Sequence, residues 1–284
     1  MVQCFVKTNK KGTTISNMNL RLLYACKTEK MDSLLPRVMH VHNDRLEIMF
    51  IFQGEGVYTI GESRYSVGAG DVLIYNSGTI HDEVSDPVAK IKSYCLGIDN
   101  LQISGLAKNC LISTEKSPVL KAVAHFDLIH SIFSTIYNEL YFENKGAEET
   151  SHYLTQALIA LLLQISKEGT YRERNKGRLG EQIKAYIDEN YNTEITLASI
   201  SKALNISADY MSHTFKKVTG YSPIQYIMRR RIGEAQTLLI TTKHSITMIA
   251  TMVGYNNSSY FNKIFTKNVG ISPKGYRQCY IKKQ

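Results

Sequence analysis

Short apolar runs separated by glycines fill the chain between about residues 46 and 96. The segment MFIFQGEGVYTIGESRYSVGAGDVLIYNSGTIH contains six glycines, with apolar and aromatic residues concentrated between them. Runs of about four to seven residues at this spacing are typical of β-strands joined by tight turns. The pattern predicts a small antiparallel barrel or sandwich in the N-terminal part of the chain.

The apolar spacing becomes helical after about residue 118. Apolar side chains then recur every three or four residues, at Val123, Phe126, Ile129, Ile132, Phe133, Ile136 and Leu140, and again at Leu154, Leu158, Leu161, Leu162 and Ile165. We expect two helices, and the broad stripe of the second either covers the barrel or forms a dimer seam. The next segment, GTYRERNKGRLG at 169–180, is charged and poor in apolar side chains, which predicts a linker.

An internal duplication marks the C-terminal sequence. YMSHTFKKVTGYSPIQY at 210–226 aligns with YFNKIFTKNVGISPKGY at 260–276, an offset of fifty residues. The copies share Tyr210/Tyr260, Phe215/Phe265, Lys217/Lys267, Gly220/Gly270, Ser222/Ser272, Pro223/Pro273 and Tyr226/Tyr276. Matches of such unlike residue types indicate one structural unit present twice.

Each copy carries the start and stop signals of two helices joined by a short turn. We expect N-caps where a hydroxyl precedes an apolar run, and glycine or asparagine where a turn needs a positive φ. These residues are Thr196, Asn205, Ser207 and Gly220 in the first copy and Ser245 and Gly254 in the second, with Pro223 and Pro273 starting the next helices. The side chains predicted to face inward are Ile200, Ile249, Ser201 and Ala250. Two helices crossing steeply at a short turn form a helix-turn-helix.

A helix predicted from 223 to about 241 joins the two units. Its length is roughly 28 Å at 1.5 Å per residue, near the ~34 Å of one DNA turn. The second helices of the units would therefore reach successive major grooves on one face of DNA. Arg229, Arg230 and Arg231 point in different directions from this helix, so we expect at least one to tie the units together.

The charge balance changes sign along the chain. Residues 1–170 hold 16 Lys and Arg against 18 Asp and Glu, whereas residues 171–284 hold 18 against 7, so the net charge of +9 comes from the C-terminal part. A basic part of this kind suggests a polyanion partner such as double-stranded DNA. A solvated basic surface would have the same composition, so charge alone leaves both interpretations open.

The cysteines and apolar segments bear on where the protein works. Cys4, Cys26, Cys95, Cys110 and Cys279 are scattered without a CxxC pair, which argues against a zinc ribbon and fits a reducing compartment. No apolar run is long enough to span a bilayer, and none follows the N-terminal lysines as in a signal peptide. We therefore expect a cytoplasmic protein without a membrane partner.

The C-terminal motifs resemble those of a known family. TLASISKALNIS, the repeated unit above and GY…SSYFNKIFTKNVGISPKGYR together look like the DNA-binding domain of the AraC/XylS family, over about residues 179–281. Two positions depart from the family pattern: the family usually has Ala where this chain has Ser201, and often has Lys where it has Thr266. The resemblance implies a sequence-specific DNA-binding transcription regulator that works as a homodimer, with RNA polymerase as a further candidate partner.

The family's base-contacting positions carry over to both units. They fall on Asp209, Ser212 and His213 in the first unit and on Ser258, Ser259, Asn262 and Lys263 in the second. These side chains can donate or accept at base edges. Asp209 either accepts from a cytosine amino group or caps its helix, and we favour the cap. We expect Lys216, Lys217 and Lys267 to contact phosphates.

The N-terminal segment resembles a cupin barrel, the fold common to effector domains of this regulator family. His40-x-His42, then Glu47 and Gly54, match the first cupin motif. Gly70, Gly78 and His81 match the second, with Asn76 where Pro is usual and Ser85 where Asn is usual.

In metal-binding cupins the equivalents of His40, His42, Glu47 and His81 hold the ion, and this donor set would suit Fe, Mn, Ni or Zn. Regulators of the family often keep these residues without a metal. We therefore expect no cofactor and a metal-free pocket for a small organic effector, with a divalent metal as the less favoured alternative. The residues expected to bind the effector are His40, His42, Glu47, Tyr58, Tyr75 and His81, with Tyr65 nearby; rings and hydroxyls of this kind are frequent in sugar pockets.

The predicted fold class is α+β multidomain. A cupin-like effector-binding barrel is expected at 1–117, a helical dimerisation or linker segment at 118–170, and an all-α DNA-binding domain with two helix-turn-helix units at 171–284. The predicted function is transcription regulation in response to a small-molecule effector, a sugar or a related metabolite. The alternative is a metal-dependent cupin enzyme fused to a DNA-binding module, which tightly held, stoichiometric metal would favour. A DNA-repair methyl acceptor is the weakest interpretation, since it needs clustered cysteines.

Overall fold

The computed structural model describes residues 20–28, 38–61, 63–82, 91–168 and 178–281. Within these ranges the N-terminal part is rich in β-strands, and the part from residue 178 onward is helical. Cys4, Ser85 and residues 169–177 of the predicted linker lie outside the described residues. Residues 178–180 were assigned to that linker but begin a helix, because Leu179 packs against the C-terminal core and Gly180 lies against Val218.

The strands of the described N-terminal part form two antiparallel sheets. They are β1 Arg21–Thr28, β2 Leu46–Gln53, β3 Glu55–Ile60, β4 Ser63–Gly68, β5 Asp71–Tyr75, β6 His81–Asp82, β7 Lys92–Asp99 and β8 Val119–Lys121. The larger sheet has the order β1-β7-β2-β5-β8, and the smaller has the order β4-β3-β6. Strands β1 and β8 lie outside the segment in which the glycine pattern predicted strands.

Strand β2 lies at the centre of the larger sheet and is covered on both faces. Leu46, Ile48 and Phe50 belong to a core shared with the N-terminal helices, whereas Met49 and Ile51 belong to a second core between the two sheets. Successive side chains of a strand alternate between faces, so Glu47 points to the same side as Met49 and Ile51. The Glu47 carboxylate is therefore on the side of β2 that faces the second core.

Two helices, α1 Phe126–Tyr141 and α2 Ala147–Glu168, pack on the outer face of the larger sheet. Leu158 and Leu162 of α2 are fully buried there, so the apolar stripe covers the sheet, which is one of the two interpretations left open by the sequence. Val123 was predicted to continue the stripe of α1. It lies instead in a short 3-10 helix ahead of α1 and is exposed.

A further core, which also includes Val38, Met39 and Ile80 of the N-terminal part, is enclosed by the C-terminal helices. They are α3 Arg178–Asn190, α4 Leu197–Leu204, α5 Ala208–Thr219, α6 Pro223–Thr241, α7 Ile246–Met252, α8 Ser258–Val269 and α9 Pro273–Ile281. The duplication is visible in packing, because residues 211–220 and 261–270 have the same sequence of buried and exposed positions. The longest described helices, α2 and α6, lack the combined length and apolar character that a membrane crossing requires.

The predicted caps and turns of the repeat are confirmed. Thr196, Ser207 and Ser245 accept hydrogen bonds from backbone N–H groups at the starts of α4, α5 and α7. Asn205 and Gly254 have positive φ in the turns that follow α4 and α7. The inward positions are confirmed for the isoleucines and alanine, but Ser201 is only half-buried, and its hydroxyl donates to a carbonyl of its own helix.

All three arginines of α6 make structural contacts. Arg230 is buried and its Nε lies 3.1 Å from Asp188 Oδ1 on α3. Arg231 donates to backbone carbonyls after α3, at 2.6 Å and 2.7 Å. These two residues hold α6 against α3 and the turn that follows it, whereas Arg229 reaches the N-terminal part, as described below.

Candidate functional site

Helices α5 and α8 present equivalent polar faces to solvent. Their inner sides are buried, through Met211 and Phe215 in α5 and Phe261 and Phe265 in α8. The positions predicted to contact DNA all lie outside this core: Asp209, His213, Lys216, Lys217, Ser259, Lys263 and Lys267 are exposed, and Ser212, Ser258 and Asn262 are half-buried. Residues three and four apart share a helix face, so each set forms one polar surface.

Two details of these faces change the sequence interpretation. The N-cap of α5 is Ser207, which accepts from the Tyr210 amide at 3.4 Å. The favoured interpretation of Asp209 as the cap is therefore wrong; it lies exposed in the first turn of α5, where its charge suits the helix N-terminus. The Asn262 amide donates to the Ser258 carbonyl at 2.8 Å, which occupies one of its two N–H donors and leaves the other N–H and the side-chain oxygen available.

Sequence reasoning assigned no role to one equivalent pair of aromatic residues. Tyr210 and Tyr260 are 59% and 55% exposed in the first turns of α5 and α8. Each tyrosine stands three residues after the N-cap of its helix and directly after a position predicted to contact DNA. The alignment of the two copies already contained the signal, because both tyrosines are among the shared positions.

Four polar side chains meet in the buried space between the sheets. His40 and His42 precede β2, Glu47 lies on β2, and His81 lies on β6. Paired backbone hydrogen bonds of 2.9 Å join His40 to His81, and their ring centroids are 4.1 Å apart. All four residues are buried, and one ligand atom from each lies within 4.8 Å of the others. The structure thus brings together the complete set that the sequence singled out as a low-ranked metal site.

The Glu47 carboxylate is the centre of this cluster. Its Oε2 lies 3.1 Å from His81 Nε2, its Oε1 lies 3.3 Å from His42 Nε2, and it accepts from the hydroxyl of Tyr24. Burial alone would raise the pKa of Glu47, but the neighbouring His42 and His81 rings outweigh burial and hold this pKa well below its usual range. Tyr24 was missed from the sequence because β1 lies outside the segment in which strands were predicted.

The tyrosines predicted in the pocket occupy different places. The Tyr75 ring stacks on His81, with centroids 4.0 Å apart and planes 10° apart, and so forms one wall of the cluster. Tyr58 is buried in the apolar layer between the sheets, opposite the half-buried Tyr65 on β4. The structure therefore places Tyr75 at the cluster and Tyr58 in the adjoining layer.

The segments that carry His40 and His81 also contact α6. Asp82 Oδ2 accepts from the Nε and Nη2 of Arg229, the former at 3.0 Å, and from the Tyr221 hydroxyl at 3.1 Å. Burial raises the pKa of Asp82, although Arg229 and Tyr221 oppose this shift. The sequence contained no sign of this contact, since its partners are more than a hundred residues apart.

A second contact lies beside the first. The Val38 amide donates to Gln236 Oε1 on α6 at 2.9 Å. A Cβ on Gly233 would lie 1.9 Å from the Met39 carbonyl oxygen, so only glycine allows α6 to approach this segment so closely. Met39, which directly precedes His40 in the chain, therefore lies against α6.

Comparison with known proteins identifies both parts. A model described as an AraC-like ligand binding domain matches residues 30–179, and a helix-turn-helix domain model matches residues 200–278. The "Uncharacterized HTH-type transcriptional regulator YdiP" of Escherichia coli K12 is 30% identical over 246 residues, 85% of this chain and 81% of that protein. The "Lactose operon transcription activator" of Staphylococcus xylosus is 25% identical, over 81% of this chain and 82% of that protein.

Solved structures also resemble the C-terminal part. The C-terminal domain of the response regulator yesN from Fusobacterium nucleatum is 37% identical and covers 34% of this chain and 95% of that chain, with a TM-score of 0.34. The named relatives are transcriptional regulators rather than enzymes, which sets aside the alternative of a metal-dependent enzyme. With an AraC-like ligand-binding model over more than half its length and a helix-turn-helix model over residues 200–278, the chain belongs to the AraC family of DNA-binding transcriptional regulators.

Proposed function

We propose that this regulator contacts operator DNA through α5 and α8 and senses a small-molecule effector at the buried site around Glu47. One observation carries the first half of the proposal: α5 and α8 expose equivalent polar faces in the part of the chain that holds all of the net positive charge. On this proposal the pairs α4–α5 and α7–α8 are two helix-turn-helix units. Helix α6 then spaces their second helices for successive major grooves.

The proposed division separates the N-terminal sheets, the two helices packed on them and the C-terminal helices into three segments. A cupin-like effector-binding barrel would occupy 1–117, a dimerisation segment 118–170 and the DNA-binding domain 171–284. Exposed aromatic and apolar side chains on and beside α1 and α2, at Leu128, Tyr141, Phe142 and Tyr153, support a surface of this segment that a second copy would cover in a homodimer.

The effector proposed here is a sugar or a related metabolite. A relative named for a lactose operon supports that class. So does the cluster itself, because hydroxyl groups of a sugar donate to a carboxylate and exchange hydrogen bonds with imidazole nitrogens. The stacked Tyr75 ring would add an apolar face.

Coupling between effector and DNA is proposed to pass through the contact with α6. Met39 directly precedes His40, and Asp82 directly follows His81; both Met39 and Asp82 belong to that contact. A ligand that shifts these two segments would change how α6 is held, and α6 separates the two DNA-contacting helices. Coupling of this kind is typically ~1–3 kcal/mol, so an effector would change operator affinity about 5- to 150-fold.

The experiment compares two lysines of the full-length protein. Lys263→Ala removes a proposed base contact and should weaken binding to the preferred site by roughly 1–3 kcal/mol while relaxing preference at one base pair. Lys145→Ala, an exposed lysine between α1 and α2, is the matched control and should leave the affinity unchanged. Equal loss on the preferred site and on random DNA would show that Lys263 is not a base contact.

A further inference from the structure

We propose that Arg64, on the smaller sheet of the N-terminal part, contacts a DNA phosphate beside the first helix-turn-helix unit. The operator would then be bound by both parts of the chain, whereas the positions predicted from sequence to contact DNA all lie at or after residue 209. This inference rests on the function proposed above, because it takes α5 to lie in a major groove.

Strand pairing places Arg64 at the interface with the helical part. Thr59 on β3 lies opposite Asp82 on β6 and opposite Arg64 on β4. Directly opposed residues of antiparallel strands point to the same face of a sheet, so these three residues form one row across the smaller sheet. Asp82 bonds to Arg229 and Tyr221 of the helical part, and Thr59 is buried. The row therefore lies against the junction of α5 and α6, with Arg64 at its exposed end.

The Arg64 side chain lies over the end of α5. A Cβ placed on Gly220 would be 3.3 Å from Arg64 Cδ and 3.4 Å from its Nη1. Gly220 ends α5, and its amide still donates to the Lys216 carbonyl at 2.9 Å, as in a helix. Lys216, His213 and Asp209 precede Gly220 at successive steps of four, three and four residues, which is the spacing of one helix face. Arg64 thus continues the polar face of α5 beyond the last turn of the helix.

The charges at this point suit a phosphate. Lys216 and Lys217 are exposed in the last turn of α5, and among the described residues no carboxylate pairs with the Arg64 guanidinium. A guanidinium has five N–H donors in one plane, so one edge can face the carbonyl end of α5 while another donates to a phosphate. Three cations at the end of one polar face form an electropositive surface for a polyanion.

The position along α5 favours a phosphate over a base. Gly220 follows His213 by seven residues, which is roughly 10 Å at 1.5 Å per residue. The first turns of a recognition helix contact base edges, and the major groove is about 12 Å wide. A group this far along the helix is expected to reach the phosphates that border the groove. Contacts to phosphates fix the orientation of a protein on DNA.

A phosphate contact from Arg64 would make operator affinity depend on how the two parts of the chain are held. Arg64 belongs to the same row as Asp82, so opening the contact between Asp82 and Arg229 would withdraw Arg64 from the end of α5. An effector that loosens or tightens this contact would thereby remove or add one contact to DNA. The coupling proposed above would then act on DNA binding directly as well as through α6.

The test measures binding of full-length Arg64→Ala protein to the preferred site and to random duplex DNA between about 50 and 200 mM salt. Loss of one phosphate contact should reduce the slope of log affinity against log salt by about 1. The loss of affinity should therefore be about three- to fourfold larger at the lower salt concentration, and equal on both DNAs. Arg64→Lys should retain the slope. Arg21→Ala removes an exposed arginine of β1; as the control matched for net charge, it should leave binding unchanged.

The position of the contact can be tested by phosphate ethylation. Ethylation of a phosphate next to the segment that His213→Ala affects should weaken binding by the wild-type protein but not by Arg64→Ala protein. Equal interference in both proteins would overturn the proposal. So would an unchanged salt slope in Arg64→Ala protein, or a loss confined to the preferred site, which would indicate a base contact.

The outcomes separate this inference from the proposed function. If Lys263→Ala does not relax base preference while Arg64→Ala lowers the salt slope, the proposed base contact fails and the phosphate contact stands. If Lys263→Ala relaxes base preference while Arg64→Ala leaves the slope unchanged, the phosphate contact fails and the proposed function stands.

Discussion

The contact between Asp82 and Arg229 should control whether the N-terminal part holds α6. Arg229→Ala removes two of the three hydrogen bonds that the structure shows at Asp82 Oδ2. The other oxygen, Oδ1, is buried and has no hydrogen-bond partner among the described residues. The substitution therefore leaves a fully buried carboxylate with only the Tyr221 hydroxyl to satisfy it.

The magnitude follows from the two ways in which the protein can respond. Loss of one partner of a buried ion pair costs about 3–5 kcal/mol if the carboxylate stays buried and charged. Opening the contact instead would expose Asp82 to water and sacrifice the hydrogen bond of Val38 to Gln236, worth about 1 kcal/mol. It would also cost up to about 1.5–3 kcal/mol of apolar burial at Met39, which is fully buried. Because these penalties are similar in size, we expect the open arrangement to become substantially populated.

Hydrogen–deuterium exchange on the full-length protein measures this directly. Amides of residues 38–42 and 79–82 should exchange faster in Arg229→Ala protein than in the wild type. Arg231→Ala is the matched control, since Arg231 also lies on α6 but contacts the turn after α3 and the Tyr255 ring, both within the helical part. A double variant with Asp82→Asn should recover part of the protection, because no buried charge remains. Unchanged exchange at residues 38–42 in Arg229→Ala protein would refute this account of the contact.

Three further predictions concern the helical part. Gly233→Ala should loosen the same contact as Arg229→Ala, because its Cβ would collide with the Met39 carbonyl; a wild-type exchange pattern would contradict this. Ser207→Ala removes the cap of α5 and should lower the free energy of unfolding, measured by urea denaturation, by about 1 kcal/mol. A free energy of unfolding equal to that of the wild type within error would show that another group replaces the cap. Phe265→Ala, at a fully buried position, should lower it by about 3–5 kcal/mol, and a loss below 1 kcal/mol would contradict the packing.

The helical repeat was predictable from sequence because its signals are local. N-caps, positive-φ turn residues and proline starts act within one turn of helix, so Thr196, Asn205 and Pro223 specify element boundaries without help from distant residues. The error at Asp209 has the same origin: two neighbouring side chains can both serve as caps, and only the backbone conformation shows that Ser207 does.

The sequence predicted which residues form the buried cluster, but it did not predict the hydrogen bonds that they make. Motif spacing singled out His40, His42, Glu47 and His81, and the structure brings them together. The contacts of the His40 and His81 rings, however, depend on the carbonyl groups of Val38 and Thr79, which lie 3.2 Å and 2.9 Å from their Nδ1 atoms and whose positions follow from the fold. The contact of Asp82 with Arg229 likewise joins residues 147 positions apart, and no local pattern encodes such a pairing.

Hydroxyl-radical footprinting of the full-length protein on a selected high-affinity DNA tests the central claim most directly. If α5 and α8 enter successive major grooves, the wild-type protein should protect two segments about 10 base pairs apart on one face of the duplex. His213→Ala should weaken protection and base preference in one segment, and Lys263→Ala should do so in the other. A single protected segment, or two variants that affect the same base pairs, would contradict the account.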